Sequence, residues 1–522
     1  MSRELSGDRA TRRRNPLLNR AKNISISVVL AAGLAMLTSL TPAPSHRGRS
    51  PLQSATPLVT TNPPLFPAFD QNVTDYVVRA APGAATQVTI TAPAGTQVSV
   101  DGQPFQSGTF TNSVTINAGQ SFTIAAQQAG VAGANYYYAR CLPPDFPAYT
   151  IEHPGPTQAE WYVIVPDTFY YGRSDYVSVF DTNGVPLWWY NDPAAPLFGT
   201  YLTNGNLAWT NYGDEAVVRG FDGALLHTIA PVSSIGGYLD IHELILLPNG
   251  NYVFIVDLPR GPVNLSAYGG SSTATVTDCV IEEVAPSGKL VWSWSTMDHI
   301  SAAQTDRQWW DPYITNSAPA DPYHMNSVES DGTGSGYLVS YRHLDAIIYI
   351  DKATGNILWK LGGTPTAQSL KFVGDTYENF GGQHDARITR ISCAVPDGPG
   401  LPMRAHELTV TLHDDGTNQG RAPRAVRYQV DEIGKTARLL ETVTDPEVPN
   451  SGCCGSARAL PGGDWVMSWG DTNNIAEYNA QQQRVFRLQL PGNYLSYRAV
   501  PVLPGRLSRE ALRGGMDAQF PR

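Results

Sequence analysis

The chain has 522 residues, of which 42% are hydrophobic and 16% charged, and its formal net charge at pH 7 is −10. A chain of this length can bury enough apolar surface for two or more folding units. The acidic balance argues against a nucleic-acid partner, which needs clustered lysine and arginine, but allows a small anionic substrate at a locally basic site. The 48 glycines and 40 prolines favour short strands joined by tight turns, and no segment after residue 45 has the pattern of an amphipathic helix.

The N-terminus has the order of an export signal. The basic residues Arg12–Arg14, Arg20 and Lys22 precede an apolar run from Ile24 to Leu40. Residues 1–45 are therefore predicted to be a signal peptide or, because the run is long, an uncleaved membrane anchor. The protein is predicted to be exported, as a secreted, periplasmic or cell-surface protein. Residues 46–64 are rich in Pro, Ser and Thr and are predicted to be a linker.

Residues 65–142 contain short alternating runs such as QVTITA and SFTIAAQ. Their spacing predicts a small antiparallel β-sandwich. The order of FDQNVTDYVV and INAGQSFTI resembles the cadherin-like modules attached to secreted bacterial proteins. No catalytic constellation is present in the sequence of this module, and a spacer or carbohydrate-adhesion module is the favoured interpretation.

From residue 150 onward, strand pairs recur around turns such as TNGN, LPNGN, DGTGSG and LPGGD. Glycine and asparagine tolerate positive φ, so these turns predict hairpins, and their recurrence predicts propeller blades. Residues 150–505 are predicted to form a six-bladed β-propeller, in which the C-terminal run YRAVPVL completes the first blade around VSVFDTNGVPLWWYN. Residues 506–522 are predicted to be a C-terminal tail.

The five cysteines leave at least one residue outside any internal pair. They are Cys141, Cys279, Cys393, Cys453 and Cys454. A vicinal disulfide between Cys453 and Cys454 is one alternative. The favoured interpretation is that one of the two pairs with Cys393 or that both are buried thiols. Their spacing does not indicate zinc.

Four residues are candidates for a site at the axis of the propeller: His242 in IHELILLPNGN, His324 in YHMNS, Arg342 in SYR and His384 in QHDA. The histidines are predicted to begin inner strands of different blades, where their side chains converge. Imidazoles and a guanidinium suit an anionic group, and a neutral imidazole can act as a nucleophile.

The motifs YHMNSV, SYR, IDKATGNILWKLGG and QHDA together resemble the arylsulfotransferase family, and the resemblance extends from about residue 161 to about 502. It implies a six-bladed propeller that moves a sulfuryl group from a phenolic sulfate ester to a phenolic acceptor, with neither a nucleotide donor nor a cofactor. His384 would be the transient sulfuryl acceptor in a ping-pong reaction. His242, His324 and Arg342 would support it.

Several neighbouring residues have two interpretations. Asp240 and Asp385 either orient the adjacent imidazoles or bind local backbone. The pair Trp309 and Trp310 forms either an aromatic wall for a phenol or part of the core. His343 is expected to face away from Arg342 on its strand.

His406 and His413 are expected to be surface or packing residues.

Two other classes of function stay open. Three histidines at a propeller mouth could bind zinc, copper or iron, and the chain could instead be a non-catalytic secreted binding propeller.

Overall fold

The computed structural model describes residues 56–128, 130–168, 175–212, 215–232, 237–396 and 403–522, and for residues 390–396 and 403–407 it describes the backbone alone. The predicted leader and residues 46–55 of the predicted linker lie outside these ranges. The described chain is all-β, as the turns and alternating runs predict. Among the described residues, no helix is long and apolar enough to cross a membrane.

Two small sheets between residues 58 and 141 share one hydrophobic core. The alternating run Ala85–Ala92 places Val88 and Ile90 in that core. One sheet contains, in order, the antiparallel strands Leu58–Asn62, Ala85–Ala92 and Gly108–Thr115. The other contains, in order, Asp75–Val78, Asn135–Cys141, Ser121–Gln128 and Thr96–Val100. Its first two strands are parallel, which departs from the purely antiparallel arrangement predicted.

Six further sheets follow in the described chain between residues 150 and 502. The first contains, in strand order, Leu495–Val502, Trp161–Asp167, Tyr176–Asp181 and Pro186–Asn191. The second contains Pro196–Tyr201, Leu207–Asn211, Glu215–Arg219 and Leu225–Ile229. The third contains Tyr238–Leu246, Tyr252–Val263, Ala274–Val284 and Leu290–Ser295. The fourth contains Met325–Ser330, Gly336–Tyr341, Ala346–Asp351 and Ile357–Gly362. The fifth contains His384–Pro396, Met403–Asp414, Arg424–Asp431, Thr436–Val443 and Lys371–Val373, and the sixth Ser456–Ala459, Trp465–Ser468, Asn474–Tyr478, Arg484–Gln489 and Thr150–Glu152. Neighbouring strands are antiparallel except Lys371–Val373, which runs parallel to its partner.

The two ends of this region meet in shared sheets. Strand Leu495–Val502 pairs with Trp161–Asp167, in a register that sets Val502 opposite Trp161. This pairing confirms that the YRAVPVL run joins the sheet of residues 176–191. Strand Thr150–Glu152 also pairs with Arg484–Gln489, a second such contact that the sequence did not indicate.

The first strands of the six sheets lie side by side. They are Leu495–Val502, Pro196–Tyr201, Tyr238–Leu246, Met325–Ser330, His384–Pro396 and Ser456–Ala459; each contacts the next, and the last contacts the first. Tight turns with positive φ set their ends; at Gly250, φ is +87° in the turn that closes the LPNGN hairpin. Side chains at the beginnings of these strands therefore face a common region.

Short helical segments lie in the connections. Ser266–Tyr268, Ala302–Gln304, Arg307–Trp309 and Arg342–Leu344 are 3-10 turns, and Asp311–Thr315 is a π-helical turn. The turns between residues 302 and 315 form most of the insertion that precedes His324. This insertion supplies aromatic side chains to the region that the first strands share.

One α-helix, Arg509–Gln519, lies within residues 506–522, the predicted C-terminal tail. The sequence pattern after residue 45 did not indicate an amphipathic helix, so this helix was not predicted. The side chain of Ser508 accepts the backbone N–H of Ala511 and caps the helix, whose buried face includes Leu512 and Met516. The helix is short and contains two glycines, so tertiary packing rather than propensity decides that it forms.

Candidate active site

The three candidate histidines lie on neighbouring first strands. His242 lies within Tyr238–Leu246, where the register with the next strand is interrupted. His324 directly precedes Met325–Ser330 and has a positive φ of 51°. His384 is the first residue of its strand. The contacts between these strands therefore bring the histidines together from distant parts of the sequence.

Each of these imidazoles has a carboxylate at Nδ1. The pairs are His242 with Asp240 at 2.7 Å, His324 with Asp321 at 2.6 Å and His384 with Asp415 at 2.9 Å. A carboxylate at Nδ1 holds the proton on that nitrogen and orients the ring. In the neutral form, Nε2 then keeps its lone pair.

His384 is almost fully buried, with 1% of its surface exposed. Its Nδ1 also lies 2.8 Å from the carbonyl oxygen of Gly382, and its Nε2 accepts the backbone N–H of Cys454 at 3.2 Å. Both contacts require the Nδ1–H tautomer. Burial lowers the pKa of His384 to about 4, although Asp415 acts in the opposite direction, so the ring is neutral at pH 7.

Arg342 begins the 3-10 turn after Gly336–Tyr341 and lies over the ring of Trp309, with 4.2 Å from Cζ to the ring centroid. One guanidinium nitrogen donates to the hydroxyl of Tyr313 at 3.1 Å, and the other donates to the carbonyl of Gly452 at 3.0 Å. Within the described chain, the buried Nε–H of Arg342 has no hydrogen-bond partner. The guanidinium therefore keeps this donor for another group.

The candidate residues form one cluster. The rings of His242 and His324 are 5.1 Å apart between centroids. Tyr497, on the first strand of another sheet, lies 5.3 Å from the ring of His242 and 6.1 Å from that of His384. The charges of Arg342 and His242 both act on the pKa of His384. The structure thus gathers all four predicted residues.

His343 belongs to the same cluster, contrary to the expectation that it faces away. Its ring stacks on His324 at 4.6 Å and lies 4.0 Å from the ring of Tyr313. The segment Arg342–Leu344 is a 3-10 turn rather than a strand, so alternation between two faces does not apply. Burial lowers the pKa of His343 well below its ordinary value, so this ring is neutral too.

The two aspartates considered as orienting groups behave differently. Asp240 orients the ring of His242 and also accepts the backbone N–H of His242 at 2.8 Å, so both interpretations hold for this residue. Asp385 has a positive φ of 57° where the strand register is interrupted, and its carboxylate accepts from Arg387 and Arg458 rather than from the ring of His384.

The carboxylate that holds His384 is Asp415, which the sequence analysis missed. Asp415 follows the end of strand Met403–Asp414. The sequence signal there is only the run HDD at residues 413–415, and that run does not identify its partner.

The favoured interpretation of the cysteines is wrong for Cys453 and Cys454, which form a vicinal disulfide. Cys141 and Cys279 are buried free thiols, and the side chain of Cys393 lies outside the described part. The disulfide lies in the turn Ser451–Gly455, beside His384. A loop between two sheets thus enters the site, and its sequence carries no signal of that position.

The remaining aromatic and histidine candidates have separate positions. Trp309 supports Arg342 and donates its indole N–H to Asp345, whereas Trp310 donates to the carbonyl of Thr305 away from the cluster. His413 is fully buried, and its Nδ1 lies 3.0 Å from the carbonyl oxygen of Cys454. His413 therefore packs directly behind the site. The side chain of His406 lies outside the described part.

One group of side chains in the described chain has the spacing of metal ligands, namely Asp321, His324 and His343, whose ligand atoms lie within 4.8 Å of one another. This group differs from the trio of histidines considered from the sequence. His343 Nε2 already accepts a hydrogen bond from Arg342 at 3.0 Å, so a bound cation would face a fixed positive charge. These residues fit a divalent metal poorly.

The comparison with known families decides the class of protein. The family described as Arylsulfotransferase (ASST) matches residues 204–490, which is more than half of the chain. The chain belongs to the arylsulfotransferase family. Family membership implies a sulfotransferase enzyme, with an aryl sulfate as donor and a phenol as acceptor.

No curated protein matches this arylsulfotransferase family member. Among solved structures, it is similar to hydrazine synthase of Kuenenia stuttgartiensis, at 11% identity over 59% of this chain and 71% of that chain, with a TM-score of 0.33. It is also similar to the β-propeller domain of Cps50 (Swd1) from Myceliophteria thermophila, at 11% identity over 65% and 89% of the two chains and a TM-score of 0.32. A streptogramin B lyase matches at 11% identity over 66% and 98%, with a TM-score of 0.28.

Proposed function

We propose that this protein transfers a sulfuryl group from a phenolic sulfate ester to a second phenol through a sulfohistidine at His384, with no nucleotide donor. The observation that carries the proposal is the state of the His384 ring. Its Nδ1–H is held by Asp415 and its pKa is lowered to about 4, so Nε2 carries no proton at neutral pH and its lone pair can act as a nucleophile once the hydrogen bond from Cys454 is broken. Neutral imidazole on a fixed carboxylate is suited to attack sulfur.

In the first step, the Nε2 lone pair of His384 forms the N–S bond while the bond from sulfur to the aryl oxygen breaks. The electron pair of that bond leaves on the phenolate. In the second step, the oxygen of another phenol passes its proton to His242 or His324 and attacks the same sulfur, and the N–S bond returns its electron pair to Nε2. The two half-reactions give ping-pong kinetics.

Arg342 is the proposed donor to the sulfuryl oxygens. Its planar fork suits an oxyanion, and its free Nε–H offers one hydrogen bond without breaking any other. Trp309 fixes the plane of the guanidinium by stacking. Donors that are already positioned accelerate the step most when the charge on those oxygens grows in the transition state.

His242 and His324 are the proposed groups for the departing phenolate. Each is held at Nδ1 by its own aspartate, which leaves Nε2 for another partner, and the two rings lie 5.1 Å apart between centroids. Protonated on Nε2, either ring can donate to an aryl oxygen or protonate it. Tyr313 stands 6.3 Å from His324 between ring centroids and offers a surface for a phenol.

We also propose that the six sheets of residues 150–502 are six propeller blades around this site. The side-by-side contacts of the six first strands support this arrangement. The cadherin-like character of residues 65–142 and export by residues 1–45 are proposed on their sequence patterns. N-terminal sequencing of protein recovered from outside the producing cells tests export and shows whether the leader is removed.

The decisive experiment compares the parent protein with His384→Asn. Asparagine keeps polarity but cannot form the sulfuryl adduct, so we expect turnover of a chromogenic aryl sulfate with a phenolic acceptor to disappear. Intact-mass measurement after brief exposure to donor alone should show one added sulfuryl group on the parent and none on the variant. Unchanged far-ultraviolet circular dichroism serves as the control for folding. Turnover by the variant would contradict the sulfohistidine.

A further inference from the structure

The turn Ser451–Gly455, here termed the capping loop, binds the two groups that the sulfuryl group would need. The backbone N–H of Cys454 donates to Nε2 of His384 at 3.2 Å. The carbonyl of Gly452 accepts from Arg342 at 3.0 Å. The loop thus offers a donor to the nucleophile and an acceptor to the guanidinium.

These contacts leave His384 unable to react in the observed arrangement. A sulfur atom must approach along the lone pair of Nε2, and the Cys454 amide lies in that direction. With only 1% of its surface exposed, the ring has no second open side. The loop has to withdraw before any donor reaches Nε2.

Several contacts hold the capping loop in place. Ser451 donates to the same Asp415 that orients His384, and Asp471 both donates its N–H to the Cys453 carbonyl and accepts the N–H of Gly452. His413 lies 3.0 Å from the Cys454 carbonyl. The disulfide between Cys453 and Cys454 closes a small ring around the peptide bond that carries the capping N–H. Such a ring removes backbone torsional freedom at the point where the loop would bend.

We propose that the capping loop is an autoinhibitory cap over His384 and Arg342, latched by the Cys453–Cys454 disulfide and released by a dithiol reductant. Release breaks the S–S bond: two electrons and two protons from the dithiol give two cysteine thiols, and the reductant becomes a cyclic disulfide. The freed loop then moves off Nε2 and exposes the lone pair. The catalytic consequence of this movement rests on the proposed function. The movement of the loop itself does not.

The movement can be measured without any sulfuryl transfer. The protein is labelled with ¹⁵N-histidine, and the signal of His384 is identified by its loss in the His384→Asn variant. The pKa of His384 is then measured by NMR titration before and after reduction. The closed form has a pKa of about 4. Reduction should raise it toward the ordinary value of roughly 6.5, because the ring gains solvent and loses a donor that excludes a proton from Nε2. The double variant Cys453→Ser with Cys454→Ser should show the raised value without reductant.

The catalytic consequence is measured as the rate of sulfuryl adduct formation from an aryl sulfate in a single turnover. At pH 7.5, reduction of the parent protein should raise this rate on the order of tenfold. The double serine variant should show the same increase without reductant. This is the effect of losing about one hydrogen bond that must otherwise break first. Cys141→Ser is the matched control, since this buried thiol lies in the N-terminal sheets. It should leave both the rate and its response to reductant unchanged.

The outcomes separate the two proposals. If reduction leaves the pKa of His384 and the adduct rate unchanged, or lowers the rate, the cap is wrong while the sulfohistidine stands. If the pKa rises on reduction but no adduct forms in either state, the cap is supported and the proposed function fails. Reoxidation of the reduced parent should restore both readouts, which distinguishes release of a latch from loss of structure.

Discussion

The imidazoles of His242, His324 and His384 have similar support at Nδ1 and differ in burial. His384 meets a backbone amide and is almost fully buried. The rings of His242 and His324 lie 5.1 Å apart and retain partial exposure. Burial favours the neutral form of His384, whereas the partly exposed rings keep access to solvent protons. The proposed division into one nucleophile and two proton donors rests on this difference.

The pH dependence of adduct formation tests the state of His384. Its pKa is lowered in the folded protein to about 4, so Nε2 stays unprotonated as the pH falls from 7 to 5. We expect the single-turnover rate of adduct formation to lose nothing to His384 protonation in that interval and to fall only near pH 4. The contradicting result is a decrease in rate centred near the ordinary histidine pKa of about 6.5. That decrease must persist when both His242 and His324 are replaced by Gln, so that it is assigned to His384.

Asp415→Asn tests the positioning of His384. The charge of Asp415 raises the pKa of His384, so its removal should lower that pKa further. Because the ring is also less firmly oriented, adduct formation should slow by roughly 10- to 100-fold, as for other partners that orient histidines. NMR titration and single-turnover kinetics measure the two effects. A purely structural role would slow the reaction without changing the pKa.

At the scale of elements, the turn Arg342–Leu344 decides the position of the guanidinium. The turn is followed by Asp345 at positive φ and packs closely against Gly363. A Cβ built on Gly363 would lie 2.0 Å from the carbonyl oxygen of Leu344, and φ there is +60°. Glycine is therefore needed both for conformation and for space.

Gly363→Ala should displace this turn. We expect a lower urea midpoint and slower adduct formation, because the methyl group must move the backbone that carries Arg342. Gly332→Ala is the matched control: its φ is +73°, but nothing lies within 4 Å of the added Cβ. It should cost only the conformational penalty of about 1–2 kcal/mol and leave adduct formation unchanged. Equal effects of the two substitutions would contradict the steric argument.

At the scale of the whole molecule, a buried charge network connects the first strands. Arg498 donates to Glu243 at 3.1 Å and to the carbonyl of Asn326 at 2.7 Å, which links three sheets. Arg387 also donates to Glu243 and to the carboxylate of Asp385. Asp385 thus belongs to this charge network, whereas the preceding residue, His384, belongs to the site.

Arg498→Met should destabilise the fold strongly. Its side chain is fully buried, and its removal leaves Glu243 with one partner fewer, which typically costs about 3–5 kcal/mol for a broken buried pair. Arg522→Met, which removes an exposed pair with Asp101, should cost about 1 kcal/mol or less. Urea unfolding of both variants provides the comparison. Equal midpoints would show that the network does not hold the sheets together.

Sequence by itself determined the all-β class, the hairpin turns and the membership of strand Leu495–Val502 in the sheet of residues 176–191. It also marked His242, His324, Arg342 and His384, because alternation, turn glycines and short motifs are local properties of the chain. Only the tertiary structure decided the partners of these residues. Asp415 lies 31 residues from His384 and Cys454 lies 70 residues away, so their contacts arise from packing between sheets. The place of His343, the fold of Arg509–Gln519 and the vicinal disulfide likewise depend on neighbours that no local pattern encodes.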